Sequence, residues 1–118
     1  MHYTLTMAVN ADYRDFVLEQ LRPAGQVTTR RMFGGIGLYL DGLFFALIDD
    51  DTLYFKTDDT NRPRYEAAES QPFCPYPDRP DKAMAYWQVP AEVLEDADEL
   101  SVWAREAVSV ALKAKTRR

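Results

Sequence analysis

The chain has 118 residues, a formal net charge of −5 and a pI of about 4.8. This length fits one domain with a single core, and the acidic balance argues against broad nucleic-acid binding, for which lysines and arginines must neutralise phosphates. Cys74 is the single cysteine and excludes an intrachain disulfide. Together with the lack of a ~20-residue apolar run and of a signal-peptide pattern, it predicts a cytoplasmic protein without membrane contact.

The first predicted element is a helix at residues 11–22, behind an irregular lead of residues 1–9 that we expect to be frayed. Asn10 is a residue type that caps helices, and Pro23 and Gly25 mark the end of this one. Four apolar residues recur at helical spacing and predict the face that covers a sheet: Tyr13, Phe16, Val17 and Leu21.

Four apolar runs separated by turn signals come next and predict a four-stranded antiparallel meander. The runs are Val27–Phe33, Ile36–Leu40, Leu43–Ile48 and Leu53–Phe55. Gly-Gly and Asp-Gly pairs between such runs favour tight hairpins, because both accept a positive φ. Strand alternation predicts that one face of the sheet carries the following side chains: Ile36, Leu38, Leu40, Leu43, Phe45, Leu47, Leu53 and Phe55.

The first strand of the meander is also its most polar strand. It contains Thr28, Thr29, Arg30 and Arg31. This composition predicts either an edge strand protected by charge or an inner strand with one wet face. As an edge, it would offer amide groups to a partner segment or to a second copy of the chain. Its arginines would favour an acidic or carboxylate-bearing partner.

After the meander, the sequence TDDTNRPRYEAAES predicts a short helix capped by Asp59 or Thr60. The proline-rich stretch that begins at Pro72 cannot form a helix interior and is a poor central strand. We expect a loop there, with at most a short edge strand near Phe73 and Cys74.

The last third of the chain predicts a strand and a long helix. Ala83–Val89 is the expected strand, Pro90 ends it, and a single helical turn follows. Asp96 and Glu99 have the spacing of a capping box at the start of the long helix. Its apolar positions form a regular helical series: Leu100, Trp103, Ala104, Ala107, Val108, Ala111 and Leu112.

These elements predict an α+β fold in which helices pack on an antiparallel sheet of five or six strands in two layers. Because every two-sided element needs the same sheet, residues 1–118 are expected to form a single domain. The side chains expected to be buried together are Phe16, Leu21, Leu38, Phe45, Phe55, Trp103 and Val108.

Motifs that suggest chemistry have local structural explanations. A strand pattern follows Gly34–Gly37, whereas a phosphate loop must open a helix. Asp49–Asp51 lacks the spaced ligands of a calcium loop and is interpreted as a solvated turn. Cys74 has only His2 as a histidine partner in the whole chain, which supports neither a nucleophile–base pair nor a zinc site. We therefore expect no catalytic residue, no cofactor and no metal.

Two strings in the chain resemble, in order, the N-terminal domain of the TfoX/Sxy family, the regulators of competence genes. They are MFGGIGLYLDGLFFALIDDDTLYFKTDDTNRPRYEA and YWQVPAEVLEDADELSVWAREAV, and the resemblance extends from about Arg30 to about Ala111. It implies a similar two-layer fold, of a kind also seen in secretion chaperones, and a regulatory role exerted through a protein. Proteins of that family also have a second, C-terminal domain, whereas this chain ends near the expected end of the first. We therefore expect a stand-alone copy of the N-terminal domain, to which functions of the second domain do not carry over.

The resulting functional hypothesis is a non-catalytic protein-binding module that does not bind duplex DNA tightly by itself. The candidate partner-binding residues are Arg30, Arg31, Phe33 and Tyr39. The candidate structural motif is Gly34, Gly35, Gly37 and Gly42, where Gly37 within a strand predicts close approach by another group. The alternative is a small ligand-binding protein or enzyme whose pocket uses Arg30, Arg31 and tyrosines.

Overall fold

The computed structural model describes residues 10–32, 34–74 and 85–116. These residues form the predicted α+β fold, with helices on an antiparallel sheet. Phe33, the lead of residues 1–9, and most of the proline-rich stretch lie outside the described residues. The helices and strands in chain order are α1 Ala11–Gln20, a 3₁₀ turn Arg22–Ala24, β1 Val27–Met32, β2 Gly35–Leu40, β3 Leu43–Asp49, β4 Thr52–Lys56, α2 Arg62–Ala67, β5 Tyr86–Gln88, α3 Ala91–Leu94 and α4 Ala97–Thr116.

The sheet has the order β1-β2-β3-β4-β5, and each strand is antiparallel to its neighbour. The predicted hairpins explain this order. Asp41 and Gly42 both have positive φ, 53° and 78°, at the turn between β2 and β3. Asp50 and Asp51 have φ of 52° and 54° between β3 and β4. Turns of this handedness match the twist of the strands that they join.

A β-bulge interrupts the alternation of β3. Tyr39 pairs with Phe44, and Leu38 pairs with Ala46, so Phe45 has no partner of its own on β2. A bulge adds one residue to one strand and changes which face the following residues occupy. The prediction that Phe45 and Leu47 share a face was therefore wrong: Phe45 packs in the main core, whereas Leu47 packs in a second cluster with Phe73.

The main core lies between the sheet and the helices. Val17 of α1, Leu21 directly after α1, and Leu100 and Ala104 of α4 are fully buried there. The sheet contributes Leu38, Phe45, Ile48, Leu53 and Phe55. We call this side of the sheet the helix-covered face and its opposite the open face.

The burial predictions were confirmed for Leu21, Leu38, Phe45, Phe55 and Trp103. Phe16 was predicted wrongly, since it is 42% exposed. The buried stripe of α1 follows Tyr13, Val17 and Leu21 at four-residue steps, which leaves Phe16 on its flank. Val108 is only partly buried against the core, and Leu112 at the end of the α4 series is 49% exposed.

Element boundaries differ modestly from the predictions. Helix α1 ends at Gln20, where the chain tightens into the 3₁₀ turn that contains Pro23. Strand β5 begins at Tyr86, and the predicted start at Ala83 lies outside the described residues. The expected edge segment is reduced to one bridge, Pro72 to Trp87, beside which the Phe73 amide donates to the Tyr86 carbonyl at 2.6 Å.

Candidate protein-binding site

Strand β1 is an edge of the sheet. Within residues 10–32, 34–74 and 85–116, it pairs with β2 alone. Its four middle residues, Thr28 to Arg31, are all exposed. In an antiparallel edge strand, alternate residues direct their amide and carbonyl groups outwards, so this strand has backbone groups available for a further strand.

The two candidate arginines of β1 leave the sheet on opposite sides. Arg31 pairs with Ile36, which packs against the main core, so Arg31 belongs to the helix-covered side. Arg30 pairs with Gly37 and belongs to the open side. This follows from strand alternation, because paired residues share a face and neighbours do not.

On the open face, Arg30 begins a row of stacked side chains that runs from strand to strand. Its guanidinium carbon lies 5.8 Å from the Tyr39 ring centroid. Tyr39 stacks on Phe44 at 5.2 Å, and Phe44 lies 5.5 Å from Tyr86. Lys56 closes the row with its Nζ 5.0 Å from the Tyr86 centroid. We call these five residues the aromatic row; it has a cation at each end.

The aromatic row is part of a larger apolar cluster on the open face. Leu47, Phe73 and Tyr86 are buried together, with Phe44 and Tyr54 packed against them. Tyr54 and Phe73 have ring centroids 4.9 Å apart. Phe73 comes from the segment that lies beside β5, so the last strand and its neighbour fix this end of the open face.

The glycines of β2 allow close approach on this side of the sheet. A Cβ on Gly37 would lie 2.6 Å from Met32 Cε and 3.1 Å from Phe44 Cε1. A Cβ on Gly35 would lie 2.3 Å from the Ile48 carbonyl oxygen. Gly34 and Gly42 have positive φ, 79° and 78°, and serve their turns.

Burial alters the titration of the aromatic row at its Lys56 end. It raises the pKa of Tyr86 to about 12, because removal from water disfavours the charged phenolate. Burial also lowers the pKa of Lys56 for the same physical reason. The Lys56 ammonium lies 3.5 Å from the Tyr86 hydroxyl and can donate to it. The pair therefore places a charged proton donor beside a buried, neutral phenol.

The structure brings Arg30 and Tyr39 together and separates Arg31 from them. Phe33 lies outside the described residues. Sequence reasoning missed Phe44 and Lys56 and considered Tyr86 with Tyr39 only as core or interface, outside the candidate set; these three residues complete the aromatic row. Their proximity depends on strand pairings distant in sequence and on the bulge, neither of which leaves a local signal.

The acidic turn contributes a structural hydrogen bond to the fold. The Asp51 carboxylate accepts from the backbone amide of Asn10 at 2.8 Å, a structural role. Among the described residues, no group of three or more histidine, cysteine or acidic side chains could hold a metal ion. None of the described helices is both long and apolar enough to cross a membrane.

Residues 19–111 match the family model of the TfoX N-terminal domain. The chain belongs to this family. It is also 35% identical, over 91 residues, to an uncharacterised 12.7 kDa protein from the trpE 5′ region of Spirochaeta aurantia. That match covers 77% of this chain and 73% of the relative. In this TfoX N-terminal domain, the family match includes all five strands, and thus both the β1 edge and the aromatic row.

Proposed function

We propose that this TfoX N-terminal domain is a non-catalytic, protein-binding regulatory module whose partner adds a strand to β1. The observation that carries the proposal is the β1 edge itself, with one paired side and four consecutive exposed residues. A partner strand gains main-chain hydrogen bonds at such an edge, and side chains on alternate positions supply specificity.

Space beside β1 supports this mode of binding. A groove of about 650 Å³ lies between α1 and the start of the strand. Leu18 and Glu19 of α1 line one side, and Gly25 to Val27 line the other. The side chains of an added strand that face the helices can enter this groove.

The charges on β1 favour a partner with carboxylates. Among the described residues, neither Arg30 nor Arg31 forms an ion pair. Because the two guanidinium groups lie on opposite sides of the strand, they flank an incoming backbone from both faces. Guanidinium groups bind carboxylates through paired hydrogen bonds, which fixes orientation and register more than affinity.

The regulatory part of the proposal rests on the family. TfoX/Sxy proteins are regulators of competence genes, which supports a cytoplasmic role in transcription regulation for this domain. A second copy of the chain is the competing occupant of β1.

The test is quantitative capture of partners from native extract with an immobilised wild-type chain and its edge variants. Thr28→Pro and Thr29→Pro form a matched pair, because in an antiparallel strand one of two neighbouring amides points outwards and the other towards β2. The folded proline variant that lacks the outward donor should lose the partner. Arg30→Glu/Arg31→Glu should lose it as well.

Lys113→Glu/Lys115→Glu is the charge-matched control, since it reverses two exposed charges that belong to α4 and not to β1. Folding is checked by circular dichroism, and each captured protein is then titrated in purified form. Sedimentation equilibrium on the same variants tests the second copy. Full binding by the folded edge variants would exclude β1 as the docking edge.

A further inference from the structure

A small cavity lies at the other end of β1, where the strand approaches α1 and the first hairpin. Its volume is about 220 Å³, and three arginines line it, Arg14, Arg30 and Arg31. The remaining lining residues are Thr29, Gly34, Gly35 and Ile36. We propose that this cavity binds the oxyanion of a small molecule, a phosphate or carboxylate group, independently of any protein partner.

The fold brings the cations to the cavity from two separate elements. Arg14 belongs to α1 and Arg31 to the helix-covered side of β1, and both residues line the cavity. Arg30 lines the cavity from the edge while its guanidinium lies over Tyr39 on the opposite side. Arg14 and Arg31 are therefore the direct ligands, and Arg30 adds positive potential.

Acidic groups near the cavity leave the arginines available. Asp15 accepts from Arg14 at 3.2 Å, with side chains 66% and 39% exposed. An ion pair in contact with water is weak and readily exchanged for a better acceptor. Asp49 is the other nearby carboxylate, with Oδ1 3.4 Å from the position of a Cβ on Gly35. Neither acid pairs with Arg31.

The volume of the cavity favours a small ligand. This volume of about 220 Å³ lies below the ~300–1,000 Å³ of pockets for drug-sized ligands, so it suits a small anion. Gly34 and Gly35 form part of the wall without side chains, and open space surrounds the Cβ position of Gly34.

Inorganic phosphate and acetate are the probes. Each is titrated into the ¹⁵N-labelled chain at pH 7 and constant ionic strength, and amide and arginine Nε–H shifts are followed by NMR. Phosphate should give saturable shifts at Thr29, Gly34 and Gly35. Because phosphate carries more charge and more acceptors, it should bind more tightly than acetate. The reverse order would identify the carboxylate as the ligand group.

Arg14→Gln and Arg31→Gln should each weaken phosphate binding by about tenfold, the usual effect of losing a charge-assisted hydrogen bond. Arg22→Gln is the control, since Arg22 is exposed and lines the other groove. Unsaturable shifts for both anions, or unchanged affinity in Arg14→Gln and Arg31→Gln, would overturn the proposal. The titration contains no protein partner, so its failure leaves strand docking at β1 untouched. Arg31 serves both proposals, so the two are separated by Thr28→Pro, which keeps the three arginines of the cavity and should leave the titration unaffected.

Discussion

The helix-covered face of the sheet and the open face both bury apolar side chains, but by different means. On the helix-covered face, Leu38, Phe45, Ile48 and Phe55 have no exposed surface, because α1 and α4 cover them. On the open face no described helix packs, and the aromatic row is shielded by its own stacking and by cations at its ends. Stability thus rests mainly on the first face, which frees the second and the β1 edge for recognition.

The largest expected effect contrasts two adjacent phenylalanines. Phe45→Ala should destabilise the fold by about 3–5 kcal/mol, since it leaves a cavity in the main core. Phe44→Ala on the half-buried aromatic row should cost clearly less, because water can fill the vacated space. Urea denaturation followed by circular dichroism measures both. Equal costs would show that the two faces do not differ in this way.

The next effect concerns the glycines of β2. Gly35→Ala should cost on the order of 2–3 kcal/mol, because its Cβ would lie 2.3 Å from a backbone oxygen that cannot move alone. Gly37→Ala should cost less than about 1 kcal/mol, since the closest atom is the end of the flexible Met32 side chain. Thermal unfolding of the two variants gives the ranking, and the opposite order would contradict the packing of the open face.

The raised pKa of Tyr86 on the open face should make the free energy of unfolding depend on pH. In the folded chain the pKa of Tyr86 is about 12, above the ~10 of an unfolded tyrosine. The folded state therefore retains a proton that the unfolded state loses, and this stabilisation is complete below pH 10 and disappears as the pH rises towards 12. The unfolding free energy lost through Tyr86 over this pH range is on the order of 2 kcal/mol.

Tyr86→Phe removes this contribution, so its unfolding free energy should decline less steeply between about pH 10 and 12 than that of the wild type. Tyr39→Phe is the comparison variant: it keeps the buried Tyr86 hydroxyl and removes only the smaller contribution of Tyr39 to the raised Tyr86 pKa, so its profile should stay closer to that of the wild type. Parallel pH profiles for wild type and Tyr86→Phe would refute the assignment.

The sequence alone was sufficient for the meander, since its turn residues fix the hairpins locally. It was insufficient to predict which side chains lie on each face of the sheet and of α1. The bulge at Phe45 changes the parity of β3 with no distinctive residue to announce it, and the exposure of Phe16 depends on how α1 is rotated against the sheet. Alternation does predict that Arg30 and Arg31 diverge. Only tertiary packing places Tyr39 beside Arg30 and brings Arg14 to the same cavity as Arg31.

The smallest expected effect comes from Tyr65→Phe, which removes a tyrosine hydroxyl, as Tyr86→Phe does, but on the helix-covered side. Tyr65 is fully buried, with its ring edge-on to Trp103 at 4.8 Å. Its hydroxyl has no hydrogen-bond partner among the described residues, although Glu106 is close enough to raise the Tyr65 pKa further after burial has done so.

A buried hydroxyl without a partner has lost its hydration and gained nothing in exchange. Tyr65→Phe keeps the ring packing and removes that cost, so the unfolding free energy at pH 7 should stay within about 0.5 kcal/mol of the wild type or rise. Tyr86→Phe forfeits the contact of its hydroxyl with Lys56 at 3.5 Å and should lose about 0.5–1 kcal/mol under the same conditions. Urea midpoints at pH 7 compare the two variants directly. A larger loss for Tyr65→Phe than for Tyr86→Phe would mean that the Tyr65 hydroxyl is hydrogen-bonded and that the helix-covered face contains a polar interaction essential to the core.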